Sequence, residues 1–153
     1  MPLATRRPIF PLGGAQIRYR PLIPIQIAGP LGSRTLDADL DTGSDDTIFP
    51  AYLAPRLGID LTNAPEGEAG AIGGVPIPYR YAPVTLRVFD GYEECVWEAI
   101  VGFVAIPLRW AVVGHAGVLH FFDVQFWGDR RQVILTPNPS FPGQLVVHRP
   151  TSP

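Results

Sequence analysis

The sequence reads Leu40-Asp41-Thr42-Gly43-Ser44-Asp45-Asp46-Thr47 after an alternating segment in which Leu36, Ala38 and Leu40 fall on one face. Alternation with a period of two predicts a strand, and this strand leads directly into an acidic turn of small residues. An Asp at the end of a buried strand is expected to be partly removed from water. The stretch therefore predicts a functional carboxylate, with an ordinary Asx turn as the alternative interpretation.

The residues after Asp41 suit a site where other groups approach closely. Gly43 has no Cβ, so another backbone or a ligand can come near. The hydroxyls of Thr42 and Ser44 can hydrogen-bond within the turn or orient the carboxylate.

Two later segments strengthen this interpretation. The glycine-rich run at 70–75 is typical of a hairpin tip, although Pro76 and Pro78 require the strand that follows to be an edge or irregular there. The run Ala111-Val112-Val113-Gly114 precedes His115 to Phe122, which is the best helix candidate in the chain. Taken in order, the D-T-G-S turn, the glycine-rich tip and the apolar-apolar-Gly step resemble the retropepsin family, the small aspartic proteases of retroviruses and their cellular and bacterial relatives.

The resemblance covers about residues 17–137 and implies an all-β fold, a closed antiparallel acid-protease barrel with one short C-terminal helix. Sixteen glycines and eighteen prolines also favour short strands and tight turns. The segment Ile17 to Ile27 carries Pro21 and Pro24, which predicts an edge or bent strand. Residues 1–16 are expected to form a Pro-rich arm, and residues 138–153 a tail.

The same resemblance implies an aspartic endopeptidase that acts on a peptide or protein substrate. Because the chain has a single D-T-G, the working enzyme would be a homodimer with Asp41 of each copy as the catalytic carboxylate. Thr42 would brace the two turns, and Ser44 would hydrogen-bond the outer carboxylate oxygen. The residues implied to meet substrate are Gly43, Asp45, Asp46, Ile72, Gly73 and Gly74. No cofactor is implied.

The charge and the length of the apolar runs argue against nucleic acid and membranes as partners. The net charge is −2 and all 12 basic residues are arginines, which form no basic stripe, so we do not expect nucleic-acid binding. The most apolar run, at 99–108, is too short to span a membrane. The N-terminal residues do not resemble a signal peptide, and Cys95 has no second cysteine to pair with, so a cytoplasmic location is expected.

Metal binding is not predicted. His115 and His120 are five residues apart, which does not suit one helical face, and they lack a zinc motif. The aspartates at 37–46 suggest a hard-cation loop, but they lack EF-hand spacing and a closing Glu.

Two questions stay open at this level. A catalytically silent retropepsin-like module for peptide binding or dimerisation is the main alternative. A weaker one is a small β-barrel that binds a ligand or cation, with the D-T-G as a structural turn. Gln144 to His148 is a candidate dimer strand, with Pro8 to Pro11 a weaker candidate; a disordered tail is the alternative for the former.

Overall fold

Strands make up most of the computed structural model, which describes residues 1–4, 8–9, 18–69 and 76–148. The strands are β1 Pro2–Ala4, β2 Pro8–Ile9, β3 Arg18–Tyr19, β4 Leu22–Gly29, β5 Gly32–Leu40, β6 Ile48–Pro50, β7 Glu66–Ala69, β8 Ile77–Phe89, β9 Glu93–Val104, β10 Ala111–Val113, β11 Phe122–Trp127, β12 Gln132–Pro137 and β13 Gln144–Val147. One α-helix, α1, spans Leu53–Leu57.

The large sheet closes on itself. Its strands run in the order β13-β9-β6-β10-β5-β4-β8-β7, and β8 also pairs with β9, which completes a barrel. Most pairs are antiparallel, but β10 runs parallel to β5 and β6 runs parallel to β9. The predicted all-β fold class with a closed sheet is thus confirmed, with two parallel pairs that the prediction did not include.

Alternating apolar side chains fill the barrel. On β4, Ile23, Ile25 and Ile27 are completely buried, as the two-residue period of a strand requires. Cys95 on β9 is also completely buried, and burial, followed by the nearby Glu93, raises the pKa of its thiol to about 11. The interior is thus built from the strand faces that the alternation predicts.

The predicted C-terminal helix is wrong in length and type. Only Leu119–Phe121 forms a 3₁₀ turn. The residues before it serve other contacts, since Ala116 forms a parallel bridge with Asp46 and Gly117 has a φ of 88°. These residues cannot also form the first turn of an α-helix.

Met1 and β13, which lie near the two ends of the chain, both pack against the barrel. The Met1 ammonium group donates to the Leu135 carbonyl oxygen (3.1 Å) and lies 3.2 Å from a carboxylate oxygen of Glu93. β13 pairs with β9 of its own chain, so the candidate dimer strand is ordered, while its role between copies stays a prediction. The predicted Pro-rich arm is described only at residues 1–4 and 8–9, and the tail only as far as residue 148. None of the helices in these ranges is long and apolar enough to cross a membrane.

Candidate active site

The turn that carries Asp41 is built at the end of β5. The Asp41 N–H donates to the Val113 carbonyl oxygen of β10 (3.0 Å), and the Ser44 N–H donates to the Asp41 carbonyl oxygen (3.1 Å). The Gly43 N–H donates to Asp41 Oδ1 (2.9 Å). The turn is therefore fixed through its backbone, while Asp41, Thr42 and Gly43 are exposed to solvent.

The chain after β10 braces the next part of the turn. The His115 N–H donates to the Ser44 carbonyl oxygen (3.0 Å), and the Ala116 N–H donates to the Asp45 carbonyl oxygen (2.7 Å). Gly114 allows this approach, since a Cβ there would lie 2.2 Å from the Asp46 carbonyl oxygen. The two segments thus pack backbone against backbone.

A buried hydroxyl joins the same two segments. Thr47 is only 1% exposed, and its Oγ1 donates to the Ala116 carbonyl oxygen (2.8 Å) and accepts the Gly114 N–H (3.2 Å). A buried hydroxyl needs such partners, because an unpaired one costs about 1–3 kcal/mol. Thr47 therefore fixes the exit of the turn as the β10 backbone fixes its entry.

Two phenols converge on the other end of the turn. Both Tyr79 and Tyr81 of β8 donate to Asp46 Oδ2, the second at 3.0 Å, and their own hydroxyl oxygens lie 3.2 Å apart. Burial and, after it, the hydrogen bond to Asp46 raise the pKa of Tyr79 far above its ordinary value. The Tyr79 hydroxyl thus stays a donor across the neutral range.

A polar pocket of about 200 Å³ opens beside the turn. Its lining residues are Gly43, Ser44, Asp45, Asp46, Ile48, Glu68 and Tyr79. The structure thus brings together four of the residues that were predicted to lie at the site.

The contacts of Ser44, Thr42 and Asp41 in the single chain differ from those that were predicted. In the single chain the Ser44 hydroxyl donates to the Asp46 carbonyl oxygen (2.8 Å) instead of to the Asp41 carboxylate. The Thr42 carbonyl oxygen lies 2.9 Å from His115 Nε2. Asp41 is exposed, not partly removed from water as expected, because β5 ends at Leu40 and Asp41 already stands in the turn. Ile72, Gly73 and Gly74 lie outside the described residues.

Sequence reasoning missed Tyr79, Tyr81 and His115, among other side chains at the site. Tyr79 and Tyr81 stand on one face of β8, and their spacing of two was the available signal. His115 was considered only as a metal ligand, and no sequence pattern pointed to its contact with Thr42. Within the described part of the chain, no group of three or more His, Cys, Asp or Glu side chains could hold a metal ion.

Comparison with known proteins gives likenesses among solved structures alone. No protein-family model and no curated protein matches the chain. Among solved structures, the chain is similar to the EIAV protease complexed with the inhibitor HBY-793. The two are 21% identical, the match covers 70% of this chain and 88% of that chain, and the TM-score is 0.46.

Proposed function

We propose that two copies of this chain form an aspartic endopeptidase, in which the two Asp41 carboxylates activate water for attack on a peptide bond. The observation that carries this proposal is the exposed Asp41 carboxylate on a turn whose backbone is fixed by β10. A rigid, accessible carboxylate is what a shared two-carboxylate site requires from each subunit.

The chemistry follows from placing two such groups together. Carboxylates about 3 Å apart cannot both ionise, so they hold one proton between them. The ionised one accepts a proton from water as the water attacks the scissile carbonyl carbon, and the protonated one donates to the carbonyl oxygen. Collapse of the tetrahedral intermediate breaks the C–N bond, and the leaving amine takes its proton from the carboxyl group that accepted one from water. No covalent enzyme intermediate forms.

A second chain is needed because the D-T-G string occurs once in the sequence. A two-fold axis beside the turn would place Asp41 against its own copy in the partner. The exposure of Asp41, Thr42 and Gly43 supports such an arrangement, since this surface is free within one chain.

The substrate proposed is an extended peptide, cleaved between apolar residues at acid to mildly acid pH. An extended peptide can add strand-like hydrogen bonds to a cleft of this kind. Asp45 is proposed to face the substrate, and so is Asp46 together with the tyrosine hydroxyls bound to it. The remaining residues proposed to meet substrate belong to the part of the chain that is not described: Ile72, Gly73 and Gly74.

The test compares wild type with Asp41→Asn on a peptide library, from about pH 3 to 8, with the mass in solution recorded for each. Asp41→Asn is expected to lower kcat by about a hundredfold to ten-thousandfold and to remain a dimer. Asp129→Asn is the matched control, because that carboxylate is exposed in the turn between β11 and β12. A variant Asp41→Asn that cleaves as well as wild type refutes the mechanism.

The alternatives have their own signatures in this experiment. A dimer that binds a statine-type peptide but cleaves nothing is the silent peptide-binding module. A monomer that does not bind the statine-type peptide and does not cleave any peptide is the small barrel, in which the D-T-G is only a structural turn.

A further inference from the structure

Asp46 is held by two phenols from one strand face. Tyr79 is 3% exposed, and both Tyr79 and Tyr81 donate to the same oxygen, Oδ2. The two rings also contact each other edge to face, with centroids 5.1 Å apart. Such an arrangement fixes the carboxylate in position and orientation, because both donors are themselves locked by packing.

Glycines leave the space that the two rings occupy. A Cβ on Gly102 of β9 would lie 2.6 Å from the ring of Tyr79, and a Cβ on Gly67 of β7 would lie 2.4 Å from the ring of Tyr81. Each ring therefore lies against the backbone of a neighbouring strand. The phenols are fixed from β7 and β9, each of which pairs with β8.

Hydrogen bonds continue from Asp46 to Asp41. The Ser44 hydroxyl donates to the Asp46 carbonyl oxygen, and the Ser44 N–H donates to the Asp41 carbonyl oxygen. Two hydrogen bonds made by Ser44 thus link Asp46, which binds the phenols, to Asp41, which carries the proposed catalytic carboxylate. β10 fixes the other side of the same turn.

We infer that Tyr79 and Tyr81 are positioning residues, which fix the Asp41 turn by holding the Asp46 carboxylate. The catalytic consequence rests on the proposed function, whereas the ordering of the turn does not. The same contacts bear on how a substrate would be bound, because Asp46 Oδ2 already accepts hydrogen bonds from both phenols. A substrate at this pocket would meet the phenol hydroxyls together with Asp46, instead of a free carboxylate.

The decisive measurement is amide hydrogen exchange of residues 41–46 in Tyr79→Phe and Tyr81→Phe. Each change removes one hydroxyl and keeps the ring on its glycine. We expect these amides to exchange about tenfold faster than in wild type, while the amides of β4 stay protected. Tyr92→Phe is the matched control, because Tyr92 is 64% exposed at the hairpin between β8 and β9.

Turnover gives a second reading. Both Phe variants are expected to lower kcat about tenfold with little change in KM, because a misplaced carboxylate affects the reacting geometry more than substrate binding. Asp46→Asn keeps an acceptor oxygen for the phenols and is expected to retain more activity than Asp46→Ala. A merely structural role would lower the melting temperature without separating these two variants.

The outcomes separate the inference from the proposed function. Exchange at residues 41–46 that matches Tyr92→Phe in both Phe variants overturns the inference, whatever the activity. Faster exchange in a protein whose wild type cleaves no peptide refutes the proposed function and leaves the positioning role of the two tyrosines in place.

Discussion

Gly114 sets how closely the β10 segment approaches the Asp41 turn. A Cβ at this position would lie 2.2 Å from the Asp46 carbonyl oxygen and 2.7 Å from the Ser44 carbonyl oxygen. Both neighbours are backbone atoms, which cannot rotate away as a side chain can. The absence of a side chain at residue 114 is therefore a requirement of the candidate site.

Gly114→Ala is expected to lower the free energy of unfolding by about 1–3 kcal/mol, because the backbone must shift to remove the clash. Denaturant unfolding measures the loss. Gly128→Ala is the control, since a Cβ there would meet nothing within 4 Å. Equal stability of the two variants would mean that the segments do not pack as described.

At this scale the sequence predicted Asp41 and its immediate neighbours, because the D-T-G-S string is contiguous. It could not predict that Tyr79 and Tyr81 bind Asp46. Those side chains are more than thirty positions away, and only the path of β8 through the barrel brings them together. The sequence likewise could not predict that the buried hydroxyl of Thr47 joins two segments of the chain.

Among the elements, β4 departs from its predicted position. Pro24 suggested an edge or bent strand, yet β4 lies between β5 and β8. The proline is tolerated because β8 pairs with β4 only at Gln26–Ala28, so the proline adjoins β5 alone. Pro78 lies one residue before β8 begins to pair with β9, which agrees with the predicted edge character of that arm.

Helix boundaries were the less predictable part. The helix α1 spans only Leu53–Leu57, which is too short for helical periodicity to distinguish it from a loop. Residues 115–118 had helical character in sequence but are used to contact the Asp41 turn. Such long-range contacts override local preference, and no local pattern records them.

A three-residue cluster fastens β13 to the barrel. Glu94 accepts hydrogen bonds from Arg87 Nε (2.6 Å) and His148 Nε2 (2.9 Å). Chiefly the Arg87 hydrogen bond, and then that of His148, lowers the pKa of Glu94 from 4.5 to about 2. Because the folded pKa is the lower one, this stabilisation is complete above pH 4.5 and is lost as pH falls towards 2.

Glu94→Gln is therefore expected to lower the melting temperature at neutral pH, by an amount that shrinks as the pH falls below 4.5. Thermal melts of wild type and variant across this range measure the difference. Glu98→Gln on the same strand is the control, because the described partner of Glu98 is the Thr85 hydroxyl. A difference independent of pH would contradict the charge-based account.

For the whole molecule, the proposed dimer requires a surface on which a second copy can dock. β13 lies at one edge of the large sheet, and its residues Leu145, Val146 and Val147 are all exposed. An exposed apolar edge strand is a ready template for pairing with another chain. This supports the prediction of a dimer strand at 144–148.

Val146→Lys tests this edge. If β13 joins the copies, the added charge is expected to shift the mass in solution from dimer towards monomer, as measured by light scattering over a concentration series. Gln144→Lys is the control on the same strand. This design is cleaner than truncation after Pro137, which would also remove Phe141 from its packing against Trp97 and Phe122. An unchanged dimer in Val146→Lys removes β13 from the interface.

The single thiol of the chain allows the opening rate of the barrel to be measured by chemical labelling. Cys95 is completely enclosed, and its pKa of about 11 leaves almost no thiolate near neutral pH. An alkylating reagent can thus reach it only when β9 and its neighbours separate. Mass spectrometry would then count labelled molecules. At a reagent concentration where alkylation outpaces reclosing, the labelling rate in native buffer reports how often the barrel opens, without denaturant.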